Sequence, residues 1–377
     1  MVLPATTQAA SVPQWAAPKC LPWTDDCAMP DPDNQSLVMV RSSLRNGHPH
    51  VVAPLDAAAG PHTLRVTPER SLAITDVAGL ADRLRANLRT AIHVAPEVLD
   101  AVLATLLADG HLLIEDHPGV GKTQLARTIA ASLDSQVARI QATVDLLPSD
   151  MVGATVWRPE VGGFEFRPGP VFAHVVLVDE LNRATPKAQS GLLEAMQERQ
   201  VTVDGDTHRL PSPFLVIATQ NPFAAYDGTY ALPPAQLDRF LARVSLGYPS
   251  PEQEMALLSG AQSQVAPVSS PRELQRAQQA VRGVRVAPAL VRYVVALLAG
   301  TREHRLAEVG ASPRAGLLLI AAARAHAAID GRDFVVPDDV QAIARPVLLH
   351  RLQIVATAPV DAAESVVADV LAAVPAR

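Results

Sequence analysis

Between about Ser71 and Tyr248, short apolar runs alternate with segments whose apolar residues recur every three or four positions. Val98, Leu99, Val102, Leu103, Leu106 and Leu107 have helical spacing, and Gly110 closes that segment. The run Leu112–Ile114 then reads as a short buried strand, followed by a glycine-rich loop and a helix carrying Leu125, Ile129 and Leu133. Further strands are predicted near Ala138–Ala142, Val175–Val178, Phe214–Ala218 and Arg243–Leu246. A helix from Pro186 to Arg199 separates the middle two, with a capping hydroxyl from Thr185 and the fixed φ of Pro186 at its first position. Apolar strands alternating with helices predict an α/β fold, a parallel sheet covered on both faces.

Two insertions read as hairpins: Ala154–Trp157 with Phe164–Phe166 around Val161-Gly162-Gly163, and Val201–Leu210 around an Asp204-Gly205 turn. Beyond Tyr248-Pro249-Ser250-Pro251 the strand pattern stops, and helical segments are predicted at roughly 251–260, 271–282, 287–303, 313–329 and 337–350. The expected organisation is a Pro- and Ala-rich, disordered or loosely ordered extension over 1–70, an α/β domain over 71–249 and an all-helical lid domain over 250–377.

The candidate chemistry starts in the glycine-rich loop, Asp116-His117-Pro118-Gly119-Val120-Gly121-Lys122-Thr123, which joins a strand to a helix. Glycines there let backbone N–H groups close around phosphate oxygens, and the helix N-terminus adds partial positive charge. On this reading Pro118, Gly119, Val120, Gly121, Lys122, Thr123 and Gln124 cradle a nucleotide, Lys122 reaches the β- and γ-phosphates of ATP, and the Thr123 hydroxyl ligates Mg²⁺. The strict pattern opens on glycine, whereas Asp116 stands here; the bland alternative is a chance Gly-Lys-Thr turn at a helix start. Lysine is rare in this chain: Lys19, Lys122 and Lys187 are three of 32 Lys and Arg residues. A compact ammonium suits a phosphate loop better than a planar guanidinium, so its retention at position 122 is informative. The strand Val175–Val178 ends in Asp179-Glu180, at the sheet edge where parallel α/β proteins hold ligands. Asp179 is placed to meet the nucleotide's Mg²⁺ and Glu180 to activate water. The plain alternative is a strand leaving the core through polar residues.

Arg167-Pro168-Gly169-Pro170, Asp179-Glu180-Leu181-Asn182-Arg183-Ala184, the long run Leu192–Gly205, Ala218-Thr219-Gln220-Asn221-Pro222 and Gln236-Leu237-Asp238-Arg239-Phe240 together resemble the signature of MoxR-type AAA+ ATPases. The resemblance spans roughly residues 71–350, and that family tolerates Asp at the first loop position. It implies an AAA+ sheet with a helical lid, and an assembly, a hexamer, that hydrolyses ATP with Mg²⁺ to remodel, mature or activate partner complexes. Some of those partners are von Willebrand factor A-type proteins. It also implies that Asn221 is a sensor of the attacking water, Arg239 a finger presented to the neighbouring subunit's γ-phosphate, and Arg314 a sensor coupling phosphate to lid angle. Arg183 stays open between a solvated charge and a group acting across the subunit interface. The two hairpins face the ring pore or a partner in relatives; ordinary surface hairpins are the alternative.

Composition narrows the field. A net charge of −6 disfavours nucleic-acid binding. Cys20 and Cys27, the only cysteines, cannot make a closed four-ligand zinc site. No apolar run approaches the roughly 18 residues of a membrane span, and the first cationic residue is Lys19, so a cytoplasmic protein without a secretory leader is expected. The rival readings are a nucleotide-gated scaffold with negligible turnover, a magnesium-chelatase-like subunit and a DNA-acting AAA+ motor.

Overall fold

The structure, a computed structural model, describes residues 72–117, 119–160, 162–221, 229–248, 251, 254–255, 259 and 265–376. All lie in the compact unit Val66–Arg377. The expected extension over 1–70, Pro118, the expected boundary at 249–250 and most of the predicted helix at 251–260 fall outside the described residues.

Helices α1 (Ile74–Ala91) and α2 (Pro96–Leu107) precede strand β1 (Leu112–Glu115). The glycine-rich loop opens α3 (Lys122–Ser132), and β2 (Val137–Gln141) follows. A short α4 (Pro148–Val152) leads into the hairpin β3 (Gly153–Arg158) and β4 (Gly163–Pro168). Next come β5 (Val175–Asp179), α5 (Pro186–Glu198), the hairpin β6 (Gln200–Val203) and β7 (Asp206–Arg209), β8 (Leu215–Gln220), α6 (Pro234–Leu237) and β9 (Ala242–Val244). The remainder is helical: α7 (Pro271–Arg282), α8 (Pro288–Glu303), α9 (Pro313–Ile329), α10 (Pro337–Leu348) and α11 (Ala362–Ala373). One small antiparallel ladder, β10 (Ala307–Val309) with β11 (Gln353–Ile354), interrupts them.

The central sheet has the order β2-β5-β8-β1-β9, and every pairing is parallel. Its inner strands β5, β8 and β1 are mostly apolar because both faces are covered. In β5, Val175 and Leu177 enter the core shared with α1, α2, α3 and the C-terminal helices, while Val176 and Val178 enter the core built on α5. That is the period-two consequence of side chains pointing alternately to opposite faces. Both predicted hairpins form, and Asp204 and Gly205 have the positive φ values, 51° and 89°, of a tight hairpin turn. Phe166 of β4 stacks on His208 of β7 with centroids 3.8 Å apart, joining the two hairpins.

Four helices were not anticipated from the pattern: the short α4 and α6, and the longer α1 and α11. α1 buries Val77, Leu80, Ala81, Leu84 and Leu88 as a stripe against α3 and α9. α11 buries Ala362, Val366, Val367 and Val370 against α8 and α10. At the centre of the helical part, α9 carries Ala322, Ala323, Ala325, Ala327 and Ala328, all buried, and these small side chains allow close approach of α2 and α10. Among the described residues no helix is long and apolar enough to cross a membrane.

A buried ion network closes the α9–α10 corner. Asp339, with no exposed surface, accepts from Arg332 Nη2 (2.6 Å) and Nη1 (2.7 Å), from the Val336 amide (2.8 Å) and from His326 Nδ1 (2.7 Å). Burial pushes the Asp339 carboxyl up, but the Arg332 and His326 hydrogen bonds outweigh it and hold it at about 2. The bond to Asp339 in turn raises His326 above its ordinary value, against the opposing pull of burial. A raised folded pKa means that this stabilisation is complete below the unfolded value of about 6.5 and fades as pH rises through the folded value. The stabilisation of wild type relative to His326→Gln should therefore shrink between about pH 6 and pH 8.5. Urea midpoints at the two pH values check this; a slope identical in both proteins would count against it.

Candidate functional site

β1 delivers the glycine-rich loop at the C-terminal edge of the sheet. Gly119 and Gly121 take φ of +87° and +96°, and a Cβ on either would meet nothing within 4 Å, so the concave side of the loop is open. Gly121 gives α3 no side-chain cap, leaving the first N–H groups of that helix directed at the same space.

The other half of the site comes from β5. Asp179 ends the strand and is nearly buried, while Glu180 follows in the left-handed region at φ 55°, ψ 47°. Such a backbone costs a non-glycine residue roughly 1–2 kcal/mol and persists only where its surroundings fix it. Here Thr219 of β8, 2% exposed, accepts from the Glu180 amide at 2.9 Å and reaches Asp179 Oδ1 at 3.5 Å. One hydroxyl thus orients both acids.

Loop and acids share one cleft of about 450 Å³. Gly119, Gly121, Lys122, Thr123, Gln124 and Arg127 line one side; Arg139 and Gln141 of β2, Asp179, Glu180, Thr219 and Asn221 line the other. Burial lowers the Lys122 pKa, and the negative charges of Asp116, Asp179 and Glu180 oppose that shift. The ammonium therefore senses both acids across the cleft, and it donates to the Asp116 carbonyl. Each acid has its own cation: Arg139 Nε lies 2.7 Å from Asp179 Oδ2, and Arg183 Nε 3.0 Å from Glu180 Oε2. Gln141 Nε2 sits 3.5 Å from the same Glu180 oxygen.

Asp116, the departure from the strict loop pattern, is buried at 5% exposure. Its carboxylate accepts from the amides of His117 (2.9 Å), Leu246 (2.6 Å) and Gly247 (2.9 Å) and from the Ser245 hydroxyl (3.0 Å). Burial pushes its pKa up, and the Gly247, His117, Ser245 and Leu246 bonds more than reverse that, leaving it below the ordinary range. Asp116 staples the loop to the segment leaving β9, a task glycine has no atoms for.

Of the residues singled out from sequence, Gly119, Gly121, Lys122, Thr123, Gln124, Asp179, Glu180 and Asn221 meet in this cleft. Val120 packs against the core instead, and Pro118 lies outside the described residues. Arg239 and Arg314 do not line it. Arg239 Nη1 donates to the Leu193 carbonyl of α5 at 2.8 Å, and Arg314 is exposed in the first turn of α9. Sequence reasoning missed Arg127, Arg139, Gln141 and Thr219. The only signal for Arg139 and Gln141 was their alternation with buried Ile140 on β2.

Residues 111–242 match the family described as "ATPase family associated with various cellular activities (AAA)", and residues 299–371 match the AAA lid domain. Fold and matches together define an AAA ATPase. The chain is 44% identical over 279 residues to the protein YeaC of Bacillus subtilis strain 168, covering 72% of this chain and 87% of that one. It is 43% identical over 268 residues to Chaperone MoxR1 of Mycobacterium tuberculosis H37Rv (68% and 71% covered). To Protein MoxR of Paracoccus denitrificans it is 33% identical over 282 residues (67% and 82% covered). A crystal structure of a candidate ATPase from Cytophaga hutchinsonii superposes with a TM-score of 0.73 at 32% identity, covering 81% of this chain and 97% of that one. The chain belongs to the MoxR family of AAA+ ATPases.

Asp116→Gly would make the loop conform to the strict pattern, yet it removes a buried carboxylate that satisfies three amides and a hydroxyl. A loss of about 2 kcal/mol is expected, since hydrogen bonds to charged groups contribute about 1.5–3 kcal/mol and orphaned buried amides add to the cost. Equilibrium denaturation measures it, and a variant as stable as wild type would remove the staple.

Proposed function

We propose that the chain binds ATP with Mg²⁺ in this cleft and hydrolyses it to remodel, mature or activate a partner protein complex, as part of a homo-oligomeric ring, a hexamer. The observation that carries the reading is the convergence of Lys122 with Asp179 and Glu180 on one cleft.

The residues fit the ligand. Two glycines with positive φ and the uncapped start of α3 form a concave set of N–H donors suited to phosphate oxygens. Thr123 and Asp179 offer a hydroxyl and a carboxylate, the hard oxygen donors Mg²⁺ takes, and few enough to leave room for water and phosphate. A divalent cation held by Thr123 and Asp179 would supply neutralisation of the charge on the phosphates. Lys122 leaves the Asp116 carbonyl for the β- and γ-phosphates. Glu180 accepts a proton from the attacking water as its oxygen closes on the γ-phosphorus, and ADP departs with the β–γ bridging oxygen. Asn221, at the end of β8, donates and accepts at once and so orients that water.

Arg239 and Arg314 enter through assembly. Arg239 acts on a neighbouring subunit's site, so an isolated subunit hydrolyses poorly. Arg314 reads phosphate from the helical side. The name of Chaperone MoxR1 supports a client protein, and a von Willebrand factor A-type domain is the client class we favour.

Two variants test this. Glu180→Gln should bind ATP within a few-fold of wild type and lose at least about 10²-fold in steady-state phosphate release. Turnover at the native rate would exclude Glu180 as the base. Arg239→Ala should leave nucleotide affinity nearly intact and lower assembly-dependent turnover by about 10³-fold. Undiminished turnover in the assembled variant would remove Arg239 from the site.

A further inference from the structure

Arg139 projects from β2 into the cleft toward an acid on the neighbouring strand. The parallel register sets Arg139 opposite Leu177 and Gln141 opposite Asp179, so the Arg139 side chain leans along the strand to reach Asp179 at the sheet edge. Its Nε meets Asp179 Oδ2 at 2.7 Å, and its Nη2 reaches Gln141 Oε1 at 3.3 Å. The bond to Asp179 is therefore a single-point contact, not the bidentate fork that makes an Arg–carboxylate pair strong.

The two partners differ in freedom. The Asp179 side chain is 11% exposed and its Oδ1 faces the buried Thr219 hydroxyl, whereas the Arg139 side chain is 53% exposed. When something else claims Oδ2, Asp179 stays and Arg139 moves. The Asp179 carboxylate and the Thr123 hydroxyl are also the hard oxygen donors that this cleft offers a cation.

We propose that Arg139 is the resident counter-ion of the metal position: it neutralises Asp179 until the divalent cation of a nucleotide complex claims that carboxylate, then turns to the phosphates. This rests on the ATP-binding reading above and adds a specific consequence to it. With Arg139 in place, a metal-free triphosphate meets a neutralised Asp179 and is tolerated. Without Arg139, the same triphosphate meets a bare carboxylate a few ångströms from its own negative charge, while a metal-loaded one meets a carboxylate with no competitor. Removing Arg139 should thus widen the gap between metal-loaded and metal-free binding. A purely structural role for Arg139 would weaken both alike.

The test is calorimetric titration of the full chain with the β,γ-imido analogue of ATP, once with Mg²⁺ and once with EDTA, for wild type, Arg139→Gln and Arg139→Lys. The ratio of the two affinities should rise at least about tenfold in Arg139→Gln, and it should stay within about threefold of wild type in Arg139→Lys, which keeps the charge. An unchanged or smaller ratio in Arg139→Gln, with wild type binding normally, overturns the role of Arg139 and leaves the ATP reading intact. A wild-type chain that binds no analogue under either condition sinks both. Because Arg139 is half exposed on an edge strand, neither substitution removes core packing, and the ratio is unaffected by a uniform loss of active protein.

Discussion

The parallel pairing of β5 with β8, and of β8 with β1, sets the distance on which the site depends. The acids leave β5 and the phosphate loop leaves β1, two positions away in the sheet. Neighbouring strands lie about 4.8 Å apart, so loop and acids begin roughly 9–10 Å from each other, a gap suited to phosphates and a cation. The strand between them is not idle: β8 supplies Thr219, which orients both acids, and Asn221 follows its last residue. Glu115 at the end of β1 pins this edge further, accepting from Gln220 of β8 at 2.9 Å and from Arg243 of β9 at 2.6 Å. A shift of one residue in any of these pairings would turn the side chains to the wrong face.

Within that frame the charges balance locally before any ligand is considered. Asp179 has Arg139, Glu180 has Arg183, and Lys122 rests on the Asp116 carbonyl. Two adjacent acids at a partly buried edge would otherwise repel each other. The arrangement leaves each acid paired with a cation of the chain itself. Asp116 belongs to the same logic from the other side: its backbone holds Lys122, and its carboxylate holds residues 245–247.

Most of the framework was legible because it is locally encoded. β5 was expected at Val175–Val178 and runs Val175–Asp179; α9 was expected at 313–329 and has those bounds. Buried parallel strands leave uninterrupted apolar runs, and Ser-Pro pairs mark helix starts, so little else is needed. α1 follows Ala73, which offers no side-chain cap, and its stripe is diluted by charged residues, so the signal was present but weak. β10 and β11 pair across more than forty positions, for which no local pattern exists. The site divides the same way. Lys122, Thr123, Asp179 and Glu180 announce themselves by motif, the first two after the loop that leaves β1 and the others at the end of β5. Arg139, Gln141 and Thr219 matter only because of the register between strands, and register is a property of the folded sheet.

Arg239 and Arg314 lie outside the cleft, yet they flank one joint. Asp238, the residue before Arg239, accepts from Ser312 Oγ at 3.0 Å and from Arg351 Nε at 2.7 Å. Ser312 also caps α9 by accepting from Ala315, and Arg314 stands two residues further along. Arg351 is almost fully buried, and burial pushes its guanidinium down to about 10 against the pull of Asp238. Such a group does not swing freely, because every one of its donors would have to find a new acceptor. A rotation of α9 about its first turn therefore moves Ser312 and is felt at Asp238, one peptide from Arg239. The two arginines are thus joined by a short path of covalent and hydrogen bonds, from Arg314 through Ser312 and Asp238 to Arg239, that needs no ligand to form.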